Sequence, residues 1–534
     1  MCVDDPRRGP MQKRRRSDNR ERSVVIQIDT GTTSPGSHRS RTPLPGQVDV
    51  LLVNPNSRVR VYQSLGSDLA AIEPPVWIGL TASFLRDRGY AVRILDAEAE
   101  SVGPASVAEQ VAQMKPRLVA VIVYGQQPSA STQNMTAAGE VCRAIKSQVP
   151  GQPLMMGGLH PSALPERTMR DEAVDYVCQG EGPYTILGLL QTLESDHPRP
   201  LGQVPGLWYR EGAAIRSTPP APVIEDLDKD LRGVAWDLLP MHKYRAHNWH
   251  CFGRVTDRKP YASMYTSLGC PFKCSFCCIN TPFGKSMIRY RSPDSVIQEI
   301  DELVTKYGVR NIKMADEMFI LNERQVVGIC DLIIERGYDL NIWAYARIDT
   351  VKDGMLAKLK QAGFHWLGIG IESASKYVRD GVDKNFGKKD IKQIFDKIRA
   401  ADINIGANFI FGLPDDTVET MQETLDLAIE LCPDWANFYS AMAYPGSKLY
   451  DLAIAQGTPL PDSWVGYSQH AYECFPLPTD HVSATTVLRF RDQAFHTFFE
   501  HPRYLAHVER RFGRETVEHI QDMTRHRLKR LLVA

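Results

Sequence analysis

Three cysteines share one short loop. Cys270, Cys274 and Cys277 lie in YTSLGCPFKCSFCC with three and then two residues between them, and Phe276 precedes the third. Three thiolates on one loop can hold three irons of a [4Fe–4S] cluster and leave the fourth iron open. A fully ligated cluster only moves electrons, whereas an open iron can bind a ligand and reduce it. Two plainer readings compete. Zinc takes four N or S ligands in paired C-x2-C knuckles, and no second pair follows at that spacing. A ferredoxin-type cluster takes a fourth cysteine. Cys278 is adjacent, but a direct neighbour of Cys277 points elsewhere and reads as a core thiol.

The loop needs a rigid element before it, and YASMYTSL (261–268) reads as a buried strand running into the first cysteine. A strand followed by C-x3-C-x-aromatic-C resembles the signature of radical S-adenosylmethionine (SAM) enzymes. The resemblance implies SAM chelated at the open iron, cleavage by one electron, and hydrogen abstraction from an unactivated position. Five further strand–helix units follow: NIKMADEMF, NIWAYARID, WLGIGIES, INIGANFIFGLP and WANFYSAMAYPG each precede a helical pattern. Ser292 and Pro293 open the first helix as N-cap and N1. Six parallel units predict a partial (β/α)6 barrel with its chemistry at the carboxyl ends of the strands. Asp316, Glu317, Arg347, Glu372, Ser373 and the Gly412-Leu413-Pro414 turn fall at that rim. Each alone reads equally well as structural. As a ring they match the SAM-binding positions of the family, which contact the methionine amino group, the carboxylate or ribose, and adenine. The family's Gly-rich second-strand turn reads Ala315-Asp316-Glu317 here, so backbone rather than side chain is expected to make that contact.

Upstream, VDVLLVNP, AVRILDA, RLVAVIVYG, PLMMGG and VDYVCQGE are apolar runs separated by helical patterns. That alternation predicts a doubly wound parallel sheet, which binds ligands beyond the carboxyl ends of its strands. Gly157-Gly158 ends the fourth strand and Gly180-Glu181-Gly182 the fifth. A glycine after a strand is commonly only a turn. Together, GGLHPSALPE and DYVCQGEGPY resemble the cobalamin-binding domain that precedes many radical SAM domains, and EPPVWIGLTASFLRDRGYAVRILDA is similar to its first helix and second strand. The resemblance implies cobalamin at a rim that includes Asn54, Gly157, Gly158, Gly180 and Glu181, with the nucleotide tail near Gly157-Gly158. It also brings His160 within reach, although a lone histidine beside a turn equally reads as a surface residue. The loop from Asn54 to Trp77 has no His, Cys or Met. Cobalt is therefore expected to find no strong nitrogen or sulfur ligand there, with Tyr62 or Trp77 covering that face.

The resulting architecture is α/β: a Rossmann-like cobalamin-binding sheet, a partial radical SAM barrel and a mostly helical cap. Residues 1–46, with the run Lys13–Arg16, read as a disordered basic tail. Residues 47–200 read as the cobalamin domain, 201–260 as a linker with a hairpin turning at Glu211-Gly212, 261–456 as the barrel and 457–534 as the cap. The cap either closes the barrel over substrate, with Tyr467, His470 and Tyr472 as candidate contacts, or only stabilises it. Lys+Arg 63 balance Asp+Glu 63, which favours neither nucleic acid nor membrane. No apolar run is long enough to span a bilayer. The 11 scattered cysteines suit a reducing cytoplasm rather than a disulfide framework.

The expected function is a cobalamin-dependent radical SAM methyltransferase, with methylcobalamin as carrier. Its substrate would be an unactivated carbon, or a phosphinate phosphorus, of a small biosynthetic intermediate. An external reductant such as flavodoxin or ferredoxin would feed it. The alternative is an oxidative cyclase or rearrangement enzyme, resembling the anaerobic Mg-protoporphyrin ester cyclases. A non-catalytic cobalamin sensor or redox scaffold is a third class, against which the intact cysteine triad speaks.

Overall fold

The computed structural model describes residues 46–66, 69–125, 127, 129–194 and 200–534. The tail reading of 1–46 lies outside these but for Gly46. Apolar runs in the first half form strands with neither face exposed, because helices cover both sides. β1 (Val50–Asn54), β2 (Val92–Asp96), β3 (Leu118–Val123), β4 (Leu154–Gly158) and β5 (Tyr176–Cys178) pair in parallel in the order β2-β1-β3-β4-β5. The order reverses between β1 and β3, the place where such sheets take ligands.

The hairpin assigned to the linker instead belongs to this sheet. β6 (Leu207–Glu211) pairs antiparallel with β5, and β7 (Ala214–Ser217) with β6, giving seven strands. Three-residue β5 would otherwise leave an open edge. Leu207, fully buried, packs into the core from the added strand.

In the second half, β8 (Tyr261–Met264), β11 (Asn311–Met314), β12 (Asn341–Arg347), β13 (Phe364–Glu372), β14 (Asn404–Phe411) and β15 (Trp435–Ser440) form a six-stranded parallel sheet in chain order. Several expected strands are shorter than read, WANFYSAMAYPG for one ending at Ser440, and two cases bear on the site. YASMYTSL breaks after Met264. Ser267–Leu268, β9, turns off to pair antiparallel with β10 (Arg289–Tyr290), so a hairpin encloses the cysteine loop. The cause is Asp316, fully buried, whose carboxylate accepts from Thr266 N (2.9 Å), Thr266 Oγ1 (2.7 Å) and Ser267 Oγ (2.5 Å) and holds the bend. β11 likewise stops at Met314, so Asp316 and Glu317 sit in the turn beyond it.

The connector 219–260 packs against both sheets. Trp236 Nε1 (3.0 Å) and Val234 N (2.9 Å) donate to Glu299, which also pairs with Arg291. Trp249 enters the barrel floor, its ring 5.0 Å from Trp343, 5.3 Å from Trp366 and 6.3 Å from Trp435. Three helices close the chain: Ala484–Phe499, Pro502–Phe512 and Arg514–Thr524. Arg491 from the first donates to Phe438 O (2.8 Å), so the cap covers the free edge of β15. No helix among the described residues is long and apolar enough to cross a membrane.

Candidate active site

A cavity of about 1050 Å³ lies between the carboxyl ends of the two sheets and runs down inside the barrel. That is at the upper end of the roughly 300–1,000 Å³ range for small-molecule sites. Tyr62, Gln127, Ser129 and Gln133 border it from the first sheet, and Tyr265, Phe276, Cys277 and Cys278 from the cysteine loop. Lys313, Glu317, Trp343, Tyr345, Glu372, Asn408 and Tyr439 are its barrel wall, and Gln469, His470 and Arg491 come from the cap. Alternation along the strands explains the wall. Trp343 and Tyr345 on β12 and Trp435, Asn437 and Tyr439 on β15 share the inner face. On β14, an added Cβ at Gly406 would find only Leu367 O, at 4.0 Å, so that glycine leaves room in the wall.

The loop holding Cys270, Cys274 and Cys277 is tied in place on three sides. Asn280 Nδ2 donates to Cys270 O (3.0 Å) and Phe272 O (3.4 Å), Ser275 N to Val382 O (3.2 Å), and Leu449 N to Ser275 O (3.0 Å). Cys277 is exposed, but to the cavity; burial within the molecule raises its thiol pKa. Cys278 is 3% exposed, and burial pushes its pKa up to about 12. Among the described residues no three His, Cys, Asp or Glu side chains converge on one ion's position; each cluster thiolate takes its own iron, so a single point of convergence is not what a cluster needs. The donor set suits a cluster: three thiols, with Arg347 Nη1 3.7 Å from Cys274 Sγ. Arg347 is held by Asp349 (2.9 and 3.1 Å) and lies 3.8 Å over the Phe272 ring.

The rim residues divide. Glu317 lines the cavity and its Oε2 is buried without a partner; burial raises its carboxyl pKa to about 8. An orphaned oxygen there suits the ammonium end of an amino-acid ligand such as SAM. Glu372 also lines the cavity, at φ +67°, and pairs with Lys384. Asp316 does not reach the cavity, since its oxygens are taken by its own bend. Ser373 is fully buried against Thr424 (3.2 Å). The Gly412 and Leu413 N–H groups both donate to Asp416 (3.0 Å each), and a Cβ on Gly412 would meet Val487 at 2.7 Å. That turn is therefore filled from within, and Ile410 is what β14 offers the cavity near its end.

The glycine rim divides too. Asn54 Nδ2 donates to Asp96 (2.8 Å) and borders a small second cavity with Tyr62, Glu73, Trp77 and Tyr124. Gly157 lies against Cys178, where an added Cβ would stand 3.4 Å from the cysteine's own. At Gly158, φ is +127° and a Cβ would stand 2.1 Å from Val123 O. At Gly180, φ is +111° and an added Cβ would stand at ordinary contact distance, 3.7 Å, from Pro282 O. Glu181 is not free: it accepts from Ile224 N (2.6 Å) and pairs with Arg289 (2.7 Å), and its carbonyl takes Trp77 Nε1 (2.9 Å). His160 is neither on the surface nor on the cavity. Its Nδ1 shares a hydrogen bond with Thr132 Oγ1 (3.2 Å), its ring abuts Trp464 (4.4 Å), and burial holds its pKa down to about 3. Trp77 stacks on Tyr124 (5.1 Å), while Tyr62 borders both cavities with its ring 5.4 Å from His470.

Of the three cap candidates, only His470 lines the cavity. Tyr467 is 1% exposed and packs on Tyr444 and Trp464, whereas Tyr472 is 41% exposed. The sequence reading missed Lys313, Trp343, Tyr345, Tyr439 and Arg491. A signal existed for the first: a lysine inside an apolar strand needs a buried partner, and Glu73 supplies it at 2.9 Å.

Two families match: the Radical SAM superfamily over residues 264–428 and the B12 binding domain over 63–190. An uncharacterized methyltransferase of Pyrococcus horikoshii is 30% identical over 85% of this chain and 93% of its own. The anaerobic magnesium-protoporphyrin IX monomethyl ester cyclase of Cereibacter sphaeroides is 29% identical over 75% of this chain, which spans 63% of that enzyme. Among solved structures, the radical SAM methyltransferase TsrM from Kitasatospora setae with cobalamin and a [4Fe–4S] cluster bound covers 84% of this chain and 88% of its own, at TM-score 0.62 and 18% identity.

Proposed function

The chain belongs to the radical SAM family whose members carry a B12-binding domain, and from that membership we propose that it is a cobalamin-dependent radical SAM methyltransferase acting on an unactivated position of a small molecule. The observation that carries the reading is the shared cavity: the B12-binding sheet and the cysteine loop open onto one space. When bound, the cluster supplies the electron that cleaves SAM, and cobalamin carries the methyl group.

The chain's own residues would then divide the work. Cys270, Cys274 and Cys277 hold the cluster. Arg347 offsets thiolate charge at Cys274, its own position fixed by Asp349. Glu317 offers an unpaired oxygen to the ligand's ammonium. Trp249, Trp343 and Trp435 seal the barrel floor and keep water from the reacting centre. Tyr62, Gln127, Ser129 and Gln133 border the shared cavity on the side where the B12-binding sheet would present cobalamin. Electrons come from an external one-electron donor such as flavodoxin or ferredoxin, and the reducing cytoplasm is the setting we propose.

The test is incubation of the anaerobically reconstituted protein with SAM deuterated at its methyl group and candidate substrates. Transfer of a deuterated methyl to product supports the reading. A product that has lost hydrogens and carries no label would favour cyclisation instead, the reading that likeness to the cyclase supports.

A further inference from the structure

Within the barrel wall of the cavity, Glu317 has one oxygen without a partner, and burial raises its carboxyl pKa to about 8. Lys313 is offset by Glu73 and Glu372 by Lys384. In the cap, Arg491 and Arg530 both bind Asp492 (2.8 Å each), and neither has another acidic partner among the described residues. Two guanidiniums on one carboxylate leave one positive charge uncompensated. Both side chains are buried, at 5% and 6% exposure. Arg530 is fully engaged, also donating to Gln469 O and Ala471 O (3.0 Å each). Arg491 is not. Its Nε serves Phe438 O and its Nη1 serves Asp492, but Nη2 has no hydrogen-bond partner among the described residues, and Arg491 lines the cavity. His470 beside it adds no charge, because burial and the two arginines hold its pKa far below the usual range. The adjoining wall is aromatic: Trp343, Tyr345, Trp435 and Tyr439.

Resting on the methyltransferase reading, we infer that the substrate is an aromatic or otherwise apolar carboxylic acid, its carboxylate bound by Arg491 Nη2 and its body laid against Trp343, Tyr345 and Tyr439. A buried cation without a counter-ion is costly, and a monoanion removes that cost. A phosphate dianion would restore an unmatched charge of the opposite sign. Arg491 is thus a specificity-determining residue at the cap–barrel seam.

The experiment is isothermal titration calorimetry on the full chain, reconstituted with cluster and cobalamin. The probes are 2-naphthylacetate, its neutral amide 2-naphthylacetamide, and 2-naphthyl phosphate. The acid should bind about ten- to a hundredfold tighter than the amide, and the phosphate should bind more weakly than the acid. Arg491→Gln should abolish the preference for the acid, weakening the acid far more than the amide. Equal affinity of acid and amide, a preference that survives Arg491→Gln, or a phosphate that binds tightest overturns the inference. Should Arg491→Gln fail to fold, Arg491→Lys serves: it keeps the charge, loses the fork, and should cut the preference several-fold, with an undiminished preference again decisive against it. No turnover is needed. Acid preference without methyl transfer refutes only the methyltransferase reading, and methyl transfer without acid preference refutes only this one.

Discussion

Cys277 and Cys278 are neighbours in sequence and opposites in exposure. Both border the cavity, but the first is exposed to it and the second is only 3% exposed. Replacing Cys270, Cys274 or Cys277 by Ala should abolish both the reconstituted cluster absorbance and SAM cleavage. Cys278→Ala should keep both, at a modest cost in packing. SAM cleavage retained in Cys274→Ala would sink the ligand assignment. The two glycine turns make a second contrast. An alanine at Gly158 meets a backbone carbonyl at 2.1 Å and also carries the strain of its positive φ, whereas at Gly180 only the φ strain applies. That strain alone is of order 1–3 kcal/mol. Gly158→Ala should therefore lower the urea midpoint much more than Gly180→Ala; equal losses would refute the close approach. A bulky residue at 158 reports on the fold rather than on the cofactor.

At the scale of elements, Glu73 pins the segment before the helix Val76–Arg86 to strand β11. It contacts Lys313 (2.9 Å), His247 (3.4 Å) and Ser263 (3.1 Å). Breaking such a buried pair from one side costs about 3–5 kcal/mol, because the partner is left charged and buried. Urea unfolding of Glu73→Gln should show that loss, and Glu73→Gln/Lys313→Met should recover most of it. A double variant as weak as the single would count against the pair as the cause. Burial alone would raise the Glu73 pKa, but Lys313 and His247 outweigh it and bring it from 4.5 to about 2. A depressed carboxylate stabilises the fold fully above its unfolded pKa and loses that contribution as pH falls through the folded one. The stability gap between wild type and Glu73→Gln should therefore be constant above pH 4.5 and shrink from there towards about pH 2.

At the scale of the whole molecule, one hydrophobic core runs from the inner face of the first sheet through Trp236, Tyr244 and Trp249 into the barrel, while a second core fills the sheet's other face. We expect the B12-binding part to fold alone only if it keeps its edge strands. A fragment of residues 47–218 should be soluble and unfold cooperatively. One ending at 196 removes β6 and β7, exposes the edge of β5, and should aggregate. A monomeric, cooperatively unfolding 47–196 fragment would show that the hairpin is dispensable.

Much of this was decided locally and was therefore legible in the chain. Apolar runs such as LVAVIV and VLLVN must be strands buried on both faces. Ser292-Pro293 starts a helix by chemistry that needs no distant partner, the Ser292 hydroxyl accepting from Ser295 N (3.2 Å). The cysteine spacing names its chemistry because the ligands sit on one loop. Other features depended on residues far apart in sequence. Asp316 looks like a rim ligand until Thr266 and Ser267 are seen to occupy it. Glu181 looks free until Arg289 arrives from over a hundred residues away. Arg491 reads as one more helix arginine until β15, Asp492 and Arg530 leave it one unpaired nitrogen facing a cavity. Hydrogen-bond capacity is a property of the residue type, and so the sequence carries it. Which partner consumes that capacity is settled by packing across the fold, and only the tertiary structure decides what is left for a ligand.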